Sequence, residues 1–114
     1  MIKTTRGGDH FDSSRYKYDT GMCSAKKGWA QIDSKQDASY YGQWCNPLTF
    51  KLFSYCEGDV TLIECDTEAE FISELRGNIA WNKERGYFIG IDAFSQSGEI
   101  RAALERMGFA EELH

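Results

Sequence analysis

Histidine, proline and long apolar runs are scarce in this chain, and each shortage closes a class of function. The two histidines are His10, near the start, and His114, the last residue. No imidazole is therefore placed by sequence to act as general base beside a cysteine or serine. The longest apolar runs are only a few residues, far short of the roughly 20 needed to cross a bilayer. The opening MIKTTRGGDHFD has no apolar stretch after its basic residues, so a secretory leader is not expected either. The expectation is a cytoplasmic protein with no membrane contact. The cysteines Cys23, Cys45, Cys56 and Cys65 form no C-x-x-C pair, which removes the usual zinc clip and redox pair. In that compartment all four are expected as reduced thiols. No G-x-G-x-x-G, phosphate loop or H-E-x-x-H is present. Neither cofactor nor metal is expected.

What is there is ample for one core. The chain has 114 residues, 41% hydrophobic and 14% aromatic, the size and composition of a single domain that needs no staple. Charge is uneven: residues 1–35 hold seven basic against four acidic residues, and residues 36–114 hold six against fourteen, for a net of −5. Nucleic-acid affinity comes largely from Lys and Arg displacing counterions, so direct nucleic-acid binding is not expected of so acidic a domain.

Residues 1–20 mix Gly, Ser, Thr, Asp and basic residues without periodicity, which reads as a flexible N-terminal arm before a single α+β domain over 21–114. Four strands are expected from alternation and turn residues, at 29–33, 39–45, 50–56 and 60–65, with turns at SKQDA, Asn46-Pro47 and Glu57-Gly58-Asp59. Such short connections argue for a four-stranded antiparallel β-meander. Two C-terminal amphipathic helices should pack on one face. Thr67-Glu68-Ala69-Glu70 is a capping box that opens the first. Phe71, Ile72, Leu75 and Ile79 form its apolar stripe, and Gly86 closes it. Tyr87 to Ile91 suits a short edge strand or a loop. Ser97 then caps a second helix carrying Ile100, Ala103, Leu104 and Met107, which Gly108 ends, with Phe109 folding back on Leu104.

Asp92 and Glu99 flank that helix and are the carboxylates most open to an acid-base role. Each also has a plain structural reason, since Glu99 suits a first helical turn and Asp92 a loop. The stronger signal is aromatic. Tyr40 and Trp44 alternate with Tyr41 and Cys45, and Phe53 and Tyr55 with Phe50 and Leu52, so both sheet faces are apolar and two helices cover only one. The candidate partner-binding residues are therefore Tyr40, Trp44, Phe53 and Tyr55. To these the acidic stretch adds Glu57, Asp59, Glu64 and Glu74.

The stretches GWAQIDSKQDASYYGQWCNP, YCEGDV and GFAEELH resemble small proteins encoded by bacteriophages and other mobile elements of proteobacteria. The resemblance implies a stand-alone inhibitor that binds a host nucleic-acid-processing complex, as anti-CRISPR proteins do, and it assigns no site residue. The leading expectation is a non-enzymatic protein-binding module whose partner is such a complex. The alternatives are a small carboxylate enzyme and a homodimeric structural or regulatory protein.

Overall fold

The structure, a computed structural model, describes residues 1–7, 29–36, 41–57, 59–93 and 98–114. Strands β1 (Ile2–Gly7), β2 (Ala30–Ser34), β3 (Tyr41–Asn46), β4 (Lys51–Cys56) and β5 (Asp59–Cys65) precede helix α1 (Glu68–Glu84). Strand β6 (Phe88–Asp92), helix α2 (Gly98–Arg106) and a 3-10 turn at Ala110–Glu112 follow. The strands form one six-stranded sheet in the order β1-β5-β4-β3-β2-β6, and every neighbouring pair is antiparallel.

The expected meander is the centre of this sheet, β2 to β5 in sequence order. Two further strands lie at its edges, so that among the described residues the sheet has six strands rather than the expected four. Residues 2–7, read as part of a flexible arm, form β1 against β5 with Thr4 opposite Ile63 and Thr5 opposite Leu62. A short polar strand of this kind is held by its neighbour rather than by its own pattern. Residues 8–20 of the expected arm lie outside the described residues. Tyr87 to Ile91 resolves as β6, with Ile32 opposite Ile91 and a bulge between Asp33 and Ser34.

The capping box and the glycine turns that end the helices are realised as read, while Ser97, read as the cap of the second helix, lies outside the described residues. Glu70 N–H donates to Thr67 Oγ1 at 3.2 Å, and Glu70 Oε1 accepts from the Thr67 N–H at 3.2 Å, closing the capping box. Both helices end in paired left-handed turns. Gly86 has φ +72°, with Gly86 N–H on Lys83 O at 3.0 Å and Tyr87 N–H on Asn82 O at 2.8 Å. Gly108 has φ +95°, with Gly108 N–H on Glu105 O at 3.1 Å and Phe109 N–H on Leu104 O at 2.9 Å. At the β3–β4 turn, Asn46 Oδ1 accepts the N–H groups of Leu48 and Thr49, each at 3.0 Å, and Phe50 takes φ 62°.

The alternation along the strands sorts the core into two clusters. The larger joins Ala30, Ile32, Cys45, Leu52, Cys65 and Ile91 of the sheet to buried residues of both helices and to Phe109. The smaller, built on the opposite parity, holds Trp29, Trp44, Phe53 and Leu62, with Tyr55 and Val60 against them. No β1 residue belongs to either cluster.

Candidate binding surface

The fold creates one polar constellation that the sequence hides. Leu113 forms a parallel bridge with Ile91, and the His114 N–H donates to Ile91 O at 3.0 Å. The chain end thus runs alongside β6, held by a single parallel bridge and one backbone hydrogen bond. Its imidazole reaches β2, where His114 Nε2 lies 2.6 Å from Asp33 Oδ2. Gly90 makes this possible, because a Cβ there would stand 2.6 Å from His114 Cδ2. Burial pushes the Asp33 carboxyl above its ordinary range, and the hydrogen bond from His114 partly offsets that. A cavity of about 230 Å³ opens beside the pair, lined by Gln31, Asp33, Gln36, Tyr41 and Gln43 among others.

Among the described residues the pair does not gather the other parts of a catalytic centre around it. Burial pushes the Cys45 thiol up to about 12 and the Cys65 thiol up to about 11, so neither supplies a thiolate at neutral pH. Cys45, Cys56 and Cys65 are all free thiols, and Cys23 lies outside the described residues. Among the described residues no group of three ligating side chains converges. Asp92 is half-buried on β6 opposite Gln31, and Glu99 stands exposed in the first turn of α2. The Asp33–His114 pair ties the chain end across β6 to β2.

The aromatic residues singled out in the sequence do share one face. Trp44 packs on Phe53 with ring centroids 5.7 Å apart and stacks on Tyr55 at 6.0 Å and 15°. Trp29 meets Phe53 edge-on at 6.4 Å. Gly42 is the floor of this stack, since a Cβ there would lie 2.3 Å from the Trp44 ring and 2.7 Å from that of Tyr55. Trp44 and Phe53 are buried, at 4% and 6% exposure, and Tyr55 is half-buried. Among the described residues Trp44 Nε1 has no hydrogen-bond partner. Tyr40 lies outside the described residues.

The acidic residues, by contrast, are dispersed. Glu57 and Asp59 stand exposed at the β4–β5 turn, where Glu57 accepts a 3.4 Å hydrogen bond from Tyr41. Glu64 is half-buried beside Lys51, 4.0 Å away on the neighbouring strand. Glu74 lies on α1 beside a groove of about 250 Å³ over Leu52, Ser54, Thr61 and Ile63, with Trp81 at its lip. Asp66 and Glu70 flank the α1 cap, where both carboxylates pair with the Met1 ammonium. The run that is continuous in sequence thus reaches both ends of β5 and both faces of the sheet.

The remaining surface is the outer edge of β1. Among the described residues β1 pairs on one side only, with β5. Ile2, Lys3, Thr4 and Arg6 are exposed. No sequence signal marked this edge, because IKTTRG has neither a clean apolar alternation nor a turn to set its register. Among the described residues no helix is long and apolar enough to cross a membrane. No family model matches the chain, and neither does any curated protein or solved structure.

Proposed function

We propose that the protein is a non-enzymatic binding module that takes hold of a protein partner by strand addition at β1. The observation that carries this reading is the unequal treatment of the sheet edges: β6 is closed by Leu113 and His114, whereas β1 is paired to β5 alone among the described residues. An open edge offers a row of N–H and C=O groups that bond an extended chain without any rearrangement. The aromatic cluster packs on β5, the strand that carries β1, through Leu62 and Val60, and a strand already held in place leaves less ordering cost to binding. The narrower reading, in which the partner is a nucleic-acid-processing complex that the protein inhibits, draws on the sequence resemblance and on the net charge of −5.

Proline scanning of β1 tests the reading. Along a strand successive N–H groups point to opposite sides, so one of Thr4 and Thr5 donates to β5 and the other points outward. Thr4→Pro and Thr5→Pro should differ: one lowers the melting midpoint, and the other leaves it nearly unchanged while abolishing capture of the partner in a pull-down. Capture unaffected by the fold-neutral proline would rule out strand addition. A concentration-dependent dimer lost with that proline would make the partner a second copy of the chain.

A further inference from the structure

The charge pattern across β4, β5 and β1 points to the chemistry of the segment that β1 receives, an inference that rests on the strand-addition reading above. On the face carrying the aromatic cluster, Lys51 stands opposite Glu64, and Glu64 stands opposite Lys3. The row therefore alternates positive, negative, positive from strand to strand, with Lys51 Nζ 4.0 Å from Glu64 Oε2. On the other face the corresponding row is Ser54, Thr61 and Arg6. It brings Arg6 no carboxylate. Strand β1 has no acidic residue of its own, and among the described residues neither Lys3 nor Arg6 forms an ion pair within 4.0 Å.

We propose that β1 accepts an extended segment of a partner protein that bears carboxylates opposite Lys3 and Arg6, three positions apart and therefore on opposite faces of the added strand. Directly opposed unlike charges stabilise neighbouring strands, and like charges destabilise them. A carboxylate opposite Lys3 continues the alternating row by one more strand, and one opposite Arg6 gives that guanidinium its first counter-charge. Thr4 and Thr5 between them favour β-branched neighbours, the residues that pack best on a pleated surface.

A second copy of the chain fits this edge poorly. Antiparallel self-pairing with Thr4 opposite Thr5 sets Lys3 against Arg6, and parallel in-register pairing sets each cation against itself. Shifting the antiparallel register to centre on Thr5 leaves Lys3 opposite Gly7 and Arg6 opposite Thr4, with neither charge answered. Basic residues on an exposed edge act in just this way against self-association. A nucleic acid answers the two cations but not the alternating backbone groups, and the net charge of −5 opposes a polyanion.

Capped eight-residue peptides rich in Val and Thr provide the probe, with Glu, Gln or Lys at two positions three apart, titrated into the isotope-labelled full chain at low salt. The expected result is that amide resonances of residues 2–7 shift and that the Glu peptide binds about three- to tenfold more tightly than the Gln peptide, with the Lys peptide weakest. The order should invert for Lys3→Glu/Arg6→Glu. Because the three peptides are compared on the unaltered chain, the result does not depend on that variant folding. Equal binding of all three peptides at β1 would overturn the charge inference and leave strand addition standing. No shift in residues 2–7 with any peptide would overturn strand addition itself. Shifts there with a duplex oligonucleotide but with no peptide would replace both with an electrostatic nucleic-acid contact.

Discussion

The two ends of the sheet are finished in opposite ways. At the β6 end the last two residues lie along the edge: Leu113 bridges Ile91, His114 fastens to Asp33, and Arg76 from α1 holds the segment before them through Gly108 O and Glu112. Its guanidinium also lies 4.2 Å from the centre of the Phe109 ring. At the β1 end nothing comparable is present among the described residues, and no β1 side chain enters a buried cluster. The contrast teaches that an edge strand is not in itself evidence of binding. Among the described residues, one of these edges is finished by the protein's own chain and the other only by its cations.

The largest effect should come from undoing the closed end. Phe109 is fully buried in the main core cluster, so Phe109→Ala removes a large ring from a packed site and should cost about 3–5 kcal/mol. Urea unfolding monitored by circular dichroism would measure it. Thr4→Ala on β1 should stay within about 0.5 kcal/mol, as exposed substitutions do. A similar loss from both would mean that β1 is as integral to the core as the C-terminal segment, and the contrast between the ends would fail.

How much of this was open to sequence reading follows from the range of the interactions. The meander, the capping box and the left-handed turns at Gly86 and Gly108 depend on residues a few positions apart, and the pattern of TEAE or of a glycine after a helix states them directly. The aromatic face was legible for the same reason, since alternation alone puts Trp44, Phe53 and Tyr55 on one side. Strand β1 was not, because Ile2 is opposite Cys65 and nothing in IKTTRG encodes a partner so far along the chain. The Asp33–His114 pair is separated by 81 positions and depends on a missing Cβ at Gly90. In the sequence that glycine could equally have been an interruption of a strand. The acidic stretch misled in the other direction, because residues near one another in sequence are distributed to opposite ends of β5 and to both faces of the sheet.

A smaller and sharper comparison makes the same substitution at the closed edge and in the middle of α1. Gly90→Ala places a methyl 2.6 Å from the His114 ring and 3.2 Å from Glu112 O, so the chain end must lift from β6, at about 1–3 kcal/mol. Gly77→Ala lies at the groove, where a Cβ meets nothing within 4 Å, in the interior of α1. There alanine should stabilise by about 0.5–1 kcal/mol through helix propensity and a less flexible unfolded chain. Opposite signs in thermal melts are the expected result. A destabilising Gly77→Ala would show that the groove side has no slack.

The smallest expected effect is one of sign, and it sets a carboxylate near each end of the sheet against the other. Glu70 sits at the start of α1, where its carboxylate takes the Met1 ammonium and the N–H groups of Asp66 and Thr67, and these hold it below its ordinary 4.5. A carboxyl held low in the folded state contributes stability that is present above its ordinary value and lost as pH falls through the folded one. Asp33 is held above its ordinary 3.8, chiefly by burial, with the His114 hydrogen bond pulling the other way. Its contribution has the reverse sign: complete below 3.8, and lost as pH rises through the raised value. Melting midpoints taken from about pH 3 to about pH 6 should therefore fall less on acidification for Glu70→Gln than for the unaltered chain. For Asp33→Asn they should fall more. If both substitutions flatten the profile alike, the charge of Asp33 stabilises the closed edge instead of burdening it, and the hydrogen bond to His114 outweighs the cost of burial.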